Sequence, residues 1–265
     1  RYELFGTHRE RESENICGLD ITDFQMAKRI VDRINPEILI HNAAITDVNF
    51  CENNKQVALN TNFKATKNLA EICREKNKKM IYISSDYVFS GEEDYYFPDS
   101  ERKPINHYGL TKMLAEDSII NCLDDYAIVR PTIMYGFNDF LDNKNIIINL
   151  INQFKENKEI VLDNRRIKYP LLTDDIVYAL VNIVESNDKG IFHISGSDSV
   201  TRYGFGCEIA RTFNLPVERI VGRDLKEMDR PYNINLKSGK FEVKKLVEGL
   251  KIVKKQMENI LYGNN

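Results

Sequence analysis

Three short, unbroken apolar runs constrain the fold most strongly: Ile38-Leu39-Ile40, Met80-Ile81-Tyr82-Ile83 and Tyr126-Ala127-Ile128-Val129. Runs without polar alternation suit strands covered on both faces. Between them the apolar spacing becomes helical. Phe24, Ala27, Ile30, Val31 and Ile34 follow a capping pair, Thr22-Asp23, and end at Asn35-Pro36. A second helix is expected over about 56–75, with Leu59, Phe63, Leu69, Ile72 and Cys73 inward, and a short strand over Tyr2–Thr7. Strands alternating with helices imply right-handed crossovers and a doubly wound, parallel α/β sheet covered on both faces. Each run opens into a polar or small-residue cluster: Asn42-Ala43-Ala44, Ser84-Ser85-Asp86 and Arg130-Pro131. In such sheets ligands sit at the carboxyl ends of the strands.

After Gly136 the rhythm changes. Helices are expected over about 144–157, 174–185 and 201–213, and strands at Ile160-Val161-Leu162 and Gly190–Ile194, before a charged, helical C-terminal part. This divides the chain into a main domain over 1–136 and a smaller α/β lobe over 137–265, with residues about 170–195 returning to the main domain.

Tyr108 and Lys112 lie four residues apart in a helical stretch, so both emerge from one face. A phenol titrates near 10 and is a poor acid-base group at neutral pH unless perturbed. Lowering it by three units requires about 4 kcal/mol of preferential phenolate stabilisation, much of which one nearby cation can supply. With the Ser85 hydroxyl holding a carbonyl, such a trio suits ketone reduction or alcohol oxidation. A buried ring edge beside a solvated amine is the competing reading of the same pair.

The net charge of -3 argues against a generic polyanion binder while leaving room for a local basic pocket, and no nucleic-acid partner is expected. No apolar run approaches a membrane span, so no membrane partner is expected either. Cys17, Cys51, Cys73, Cys122 and Cys207 are scattered and form no C-x-x-C pair. They read as reduced packing residues of a cytoplasmic protein. The four histidines show no metal spacing, and no metal site is expected.

Ser84-Ser85-Asp86-Tyr87-Val88-Phe89, then Tyr108-x-x-x-Lys112, then Arg130-Pro131-Thr132-Ile133-Met134-Tyr135-Gly136 resembles the extended short-chain dehydrogenase/reductases. Within them the chain is most similar to the dTDP-4-dehydrorhamnose reductases. Leu19–Asp23, His41–Thr46, Gly190–Gly196 and Arg230-Pro231 add to the likeness, which covers nearly the whole chain. The resemblance implies a Rossmann-type fold with a substrate lobe. It also implies that the family's first strand and helix, with their glycine-rich phosphate turn, are missing from this sequence, because Tyr2–Thr7 matches the second strand.

Carried over position by position, the resemblance makes Tyr108 the general acid. Ser85 orients the substrate carbonyl, and Lys112 binds ribose and lowers the Tyr108 pKa. Asp20 and Ile21 border the adenine, Ala43 and Ala44 leave room for cofactor along the backbone, and Asn62 stands near the active site or is a plain helix residue. Arg9 follows the second strand, where a cation suits a 2'-phosphate, which favours NADPH over NADH; a solvated charged loop is its other reading. Asp86 and Tyr87 line the sugar pocket, and the phenol at 87, where dehydratases of the superfamily carry Glu, argues against a 4,6-dehydratase. Arg230 is a candidate for the diphosphate, as are Arg165, Arg166 and Lys168.

The implied reaction is NAD(P)H-dependent reduction of a 4-keto-6-deoxy sugar nucleotide, as in dTDP-rhamnose and polysaccharide biosynthesis, by a chain that is compatible with a homodimer. Two alternatives stand beside it. One is a sugar-nucleotide epimerase of the same superfamily. The other is a non-catalytic regulatory subunit similar to that of methionine adenosyltransferase.

Overall fold

A computed structural model describes residues 2–10, 13, 15–137, 145–156, 159–225, 229–237 and 239–262. The chain divides into two compact units. The first holds Arg1–Val88, Arg102–Val129 and Asn187–Ile191, and the second holds Phe89–Glu101, Arg130–Ser186 and Phe192–Asn265.

In the first unit β1 (Gly6–His8) pairs in parallel with β2 (Ile16–Gly18). The strand expected from Tyr2 starts only at Gly6, and Tyr2, Leu4 and Phe5 are exposed before it. Helix α1 (Phe24–Ile34) begins where the Asp23 carboxylate accepts from Met26 N, and it ends at Asn35 in the left-handed region. Then come β3 (Ile38–His41), α2 (Val48–Asn53), α3 (Lys55–Ala58), a widened π-type turn over Leu59–Lys64, and α4 (Ala65–Glu75). The fully buried β4 (Lys79–Ile83), α5 (His107–Ile120) and β5 (Tyr126–Pro131) follow.

Strands β3, β4 and β5 are parallel, with Ile38 opposite Lys79 and Met80 opposite Tyr126. The sheet is ordered Gly190–Ile194, β5, β4, β3. Its core under α1, α4 and α5 joins Ile30, Ile72, Met80, Ile119 and Ile128. Each such aliphatic side chain contributes about 1.5–3 kcal/mol by leaving water.

Two local expectations change. Ile38–Ile40 is not covered on both faces: Ile38 and Leu39 are half-buried and Ile40 is 46% exposed, on a strand with only β4 as a sheet neighbour among the described residues. The stretch 56–75 is not one regular helix, because the π-type turn at Leu59–Lys64 interrupts it where Asn62 points inward.

The second unit begins its regular structure with β6 (Met134–Tyr135), α6 (Ile146–Lys155) and β7 (Ile160–Asp163). It continues through β8 (Ile167–Lys168), β9 (Leu171–Leu172), α7 (Thr173–Ser186) and β10 (Gly190–Ile194), the last of which starts in the first unit. After β11 (Val200–Thr201) come α8 (Arg202–Thr212), β12 (Ile220–Arg223) and α9 (Leu246–Tyr262). Strand β12, which the apolar pattern did not signal, runs parallel to β7. Ile147, Phe154, Phe205, Ile209 and Leu250 form this unit's core.

Helix α5 is seated by its third residue. A methyl group on Gly109 would lie 2.0 Å from the Tyr87 carbonyl oxygen and 3.0 Å from Pro104 Cβ. The carbonyl is backbone and cannot swing aside. Gly109→Ala is therefore expected to lower the unfolding free energy by about 1–3 kcal/mol. A urea titration should show this as a lower midpoint at unchanged slope; an unaltered midpoint would contradict this seating of the helix.

Candidate active site

The site forms where the end of β4 meets α5. Tyr108, Lys112 and Glu116 are spaced by four, so they form one stripe about 80° wide along the helix. All three are buried, at 8%, 2% and 0% exposure. The consecutive residues Ile83, Ser84 and Ser85 each hold one of them. Lys112 Nζ donates to Ile83 O at 2.7 Å, Ser84 Oγ donates to Glu116 Oε1 at 2.5 Å, and the Ser85 hydroxyl stands beside the Tyr108 phenol. Ser85 Oγ also donates to Asp86 Oδ1 at 3.2 Å and accepts from Tyr87 N at 3.2 Å. The Tyr87 ring meets Tyr108 edge-on at 5.9 Å. Ser85, Asp86, Tyr87, Tyr108 and Lys112 thus share one cluster of the first unit.

The electrostatics differ from the sequence expectation. Burial pushes the Tyr108 phenol above its ordinary value, the Ser85 hydroxyl opposes that rise, and Asp86 adds to it. Burial also pushes Lys112 down, to about 7, against the pull of Glu116. The expected lowering of Tyr108 by Lys112 is not found, because the amine is turned to Ile83 O and sits 4.2 Å above the Tyr82 ring centroid. Desolvation outweighs a cation that is itself half discharged. Beneath the amine lies His41, whose Nε2 is 2.9 Å from Thr66 Oγ1 and which burial, then Lys112, lowers to about 3.

The remaining candidates spread outward. Asn62 is 1% exposed, and its side chain accepts from Ile45 N at 2.8 Å and donates to Ile45 O at 2.9 Å and Thr111 Oγ1 at 3.1 Å. It is a tether for the segment after β3, which the sequence left undecided. That segment presents exposed Ala43 and half-buried Ala44. Arg9 and Asp20 pair with each other at 3.4 Å, both well exposed, and Ile21 packs on the core. Bonds from the Thr22 hydroxyl and amide keep the Asp20 carboxyl low.

In the second unit Arg230 is half-buried. Arg166 is committed to Asp163 in a buried pair at 2.8 Å, and Arg165 lies 5.9 Å from the Tyr232 ring centroid. His107 is occupied by Lys55 O at 3.0 Å and, through its backbone, by Glu52. No group of three metal-ligating side chains occurs among the described residues, and no helix among them is long and apolar enough to cross a membrane.

Residues 2–257 match the family described as RmlD substrate binding domain. The chain belongs to that family. It is 30% identical over 232 residues to methionine adenosyltransferase 2 subunit beta of Xenopus laevis, covering 84% of this chain and 70% of that one. It is 27% identical over 235 residues to a protein of Haloferax volcanii named probable low-salt glycan biosynthesis reductase Agl14, covering 87% and 78%. The crystal structure of dTDP-4-dehydrorhamnose reductase from Bacillus anthracis in complex with NADP superposes with a TM-score of 0.84 at 26% identity, covering 94% of this chain and 93% of that one. The fold is therefore the Rossmann-type α/β fold of the short-chain dehydrogenase/reductases, as its parallel strands already indicated.

A nicotinamide dinucleotide is the cofactor this family implies, and the residues present fit its ribose and nicotinamide end. The buried Lys112 ammonium has one backbone acceptor in the structure and two further donor hydrogens, and Tyr108 stands one turn away. Ala43 and Ala44 leave the backbone after β3 open to a flat ligand. No glycine-rich turn for a pyrophosphate occurs in the sequence.

Two outcomes follow from these bonds. Asn62→Ala strips three buried hydrogen bonds and should lower stability by about 2–4 kcal/mol in urea titrations, whereas an effect under 1 kcal/mol would remove the tethering role. His41 titrates near 3 when folded and near 6.5 when unfolded, so the unfolded chain binds the extra proton between those values. Stability is complete above about pH 6.5 and declines as pH falls towards 3. His193 in the second unit, also held near 3, adds the same trend. The loss of stability from pH 7 to 4.5 should be about 2–3 kcal/mol smaller in His41→Gln than in the parent. Equal losses would mean that His41 is not held neutral.

Proposed function

We propose that the protein reduces the C4 ketone of a 4-keto-6-deoxy sugar nucleotide, with NADPH as hydride donor and NADH as the alternative. The observation that carries this reading is the meeting of Ser85, Tyr108 and Lys112 in one buried cluster at the carboxyl end of a central parallel strand. A bound nicotinamide supplies the hydride. The Ser85 hydroxyl donates to the substrate carbonyl oxygen. Tyr108 passes its proton to that oxygen as negative charge develops there. A phenol that burial holds neutral at neutral pH still carries the proton that a developing alkoxide takes up. Tyr87, edge-on to Tyr108, forms a wall of the sugar pocket, and Asp86 orients Ser85.

Arg9 meets the adenosine ribose, and its partner Asp20 borders the adenine with Ile21. The pair is exposed and joined at 3.4 Å, a geometry that an arriving 2'-phosphate can open by competing for the guanidinium. Arg230 supplies a cation for the substrate diphosphate.

A second reading rests on the 30% identity to methionine adenosyltransferase 2 subunit beta: a subunit that binds a synthetase and turns over no ketone. The two separate in one assay series. The reductase reading expects stoichiometric consumption of NADPH with a dTDP-4-keto-6-deoxy sugar, which also excludes an epimerase, since an epimerase regenerates its nicotinamide. The subunit reading expects no consumption and co-elution with a methionine adenosyltransferase. In the reductase, Tyr108→Phe should lower kcat by about 10²–10⁴-fold with KM for NADPH little changed. Turnover that survives the substitution would remove Tyr108 from the reaction.

A further inference from the structure

Glu116 has no part in the trio of Ser85, Tyr108 and Lys112, yet it is wholly buried one turn beyond Lys112 on the same stripe of α5. A carboxylate at that depth needs partners, and the structure provides them from two directions. Ser84 Oγ donates to Oε1 at 2.5 Å, and Arg102 Nη1 donates to Oε2 at 3.0 Å. Arg102 is fixed in turn, with Nη2 donating to Asp117 Oδ1 at 2.6 Å. The Ser84 bond locks the peptide between Ile83, whose carbonyl receives Lys112, and Ser85, whose hydroxyl meets Tyr108. Glu116 therefore stands at the middle of the strand end that arranges the trio.

The surroundings of Lys112 show what the carboxylate does there. Facing the amine are His41 from β3, the Tyr82 ring from β4, and Tyr108 and Glu116 from α5. Around Tyr108 stand Asp86 and Tyr87 from the turn after β4 and Cys51 from α2. His41 is neutral above about pH 3, and burial raises both Tyr82 and Cys51, so none of these three carries charge at neutral pH. Within the stripe, Glu116 is the group that opposes the desolvation of Lys112. It acts on Lys112 electrostatically and on the strand end through Ser84.

We infer that Glu116, tethered by Arg102, is a positioning residue that holds the Ile83–Ser85 strand end against α5 and favours the charged form of the Lys112 amine. The catalytic meaning of this rests on the reductase reading, but the charge state of Lys112 does not.

The test is therefore made first on the amine. In protein carrying ¹³C-labelled lysine, the Lys112 ε-carbon resonance is identified by its disappearance in Lys112→Met, and its titration midpoint is measured in the parent, Glu116→Gln and Glu116→Asp. Gln keeps an acceptor for Ser84 but carries no charge, so the midpoint should fall by about one pH unit. Asp keeps the charge and should stay within a few tenths of the parent. If Glu116→Gln does not fold, the doubly neutral Arg102→Gln/Glu116→Gln protein carries the same measurement without an unpaired guanidinium. A midpoint unmoved by loss of the carboxylate overturns the proposal, whatever the protein reduces. Given turnover, the alkaline limb of kcat/KM should move to lower pH in Glu116→Gln by the same interval and be restored in Glu116→Asp. A uniform loss of kcat/KM at every pH would instead mark Glu116 as merely structural and also overturn the proposal. Absence of turnover in the parent, with the midpoint shift intact, strikes the reductase reading alone.

Discussion

The grip of three consecutive residues on one helix face organises the first unit. Ile83 contributes a carbonyl, Ser84 and Ser85 contribute hydroxyls, and α5 answers with an amine, a carboxylate and a phenol. Successive strand side chains point to opposite sides of a sheet, so adjacent residues can serve one helix only where the strand has ended. Strand β4 stops at Ile83, which leaves Ser84 and Ser85 in the irregular backbone that follows. The termination of the strand is thus as necessary to the site as the identities of its residues. Gly109, against the Tyr87 carbonyl, sets how near the helix can come.

Desolvation governs the chemistry inside that grip. It raises Tyr108 and Tyr82, lowers Lys112 and His41, and leaves a site with little net charge at neutral pH. This differs from a site in which a fixed cation creates a standing phenolate. Burial keeps the phenol in its neutral, proton-carrying form, beside an amine poised between its two charge states.

Much of this was legible beforehand. The continuous apolar runs fixed the strands at 80–83 and 126–129, and spacing by four put Tyr108 and Lys112 on one face. The capping pair Thr22-Asp23 marked a helix start correctly, with Asp23 as the cap. What escaped the sequence depended on neighbours that no local pattern encodes. Ile40 looked like a core residue, but its strand has one sheet partner among the described residues. Glu116 was not singled out, since nothing in a linear pattern tells a solvated carboxylate from one met by Ser84 and Arg102. Its spacing of four from Lys112 was the one available signal. Arg166, a candidate for phosphate, is instead consumed by Asp163 three residues earlier, a pairing that spacing alone could have suggested.

The widened turn at Leu59–Lys64 has a consequence for how this chain tolerates change in length. A π-type turn holds one residue more than the regular helix around it, and that surplus residue is what swings the Asn62 amide onto Ile45 and Thr111. Excising a single residue there would let α3 and α4 fuse into one uninterrupted rod and rotate the amide roughly 100° away from its partners. The irregularity acts as a register mark: a helix of better local geometry would lose its hold on the segment after β3.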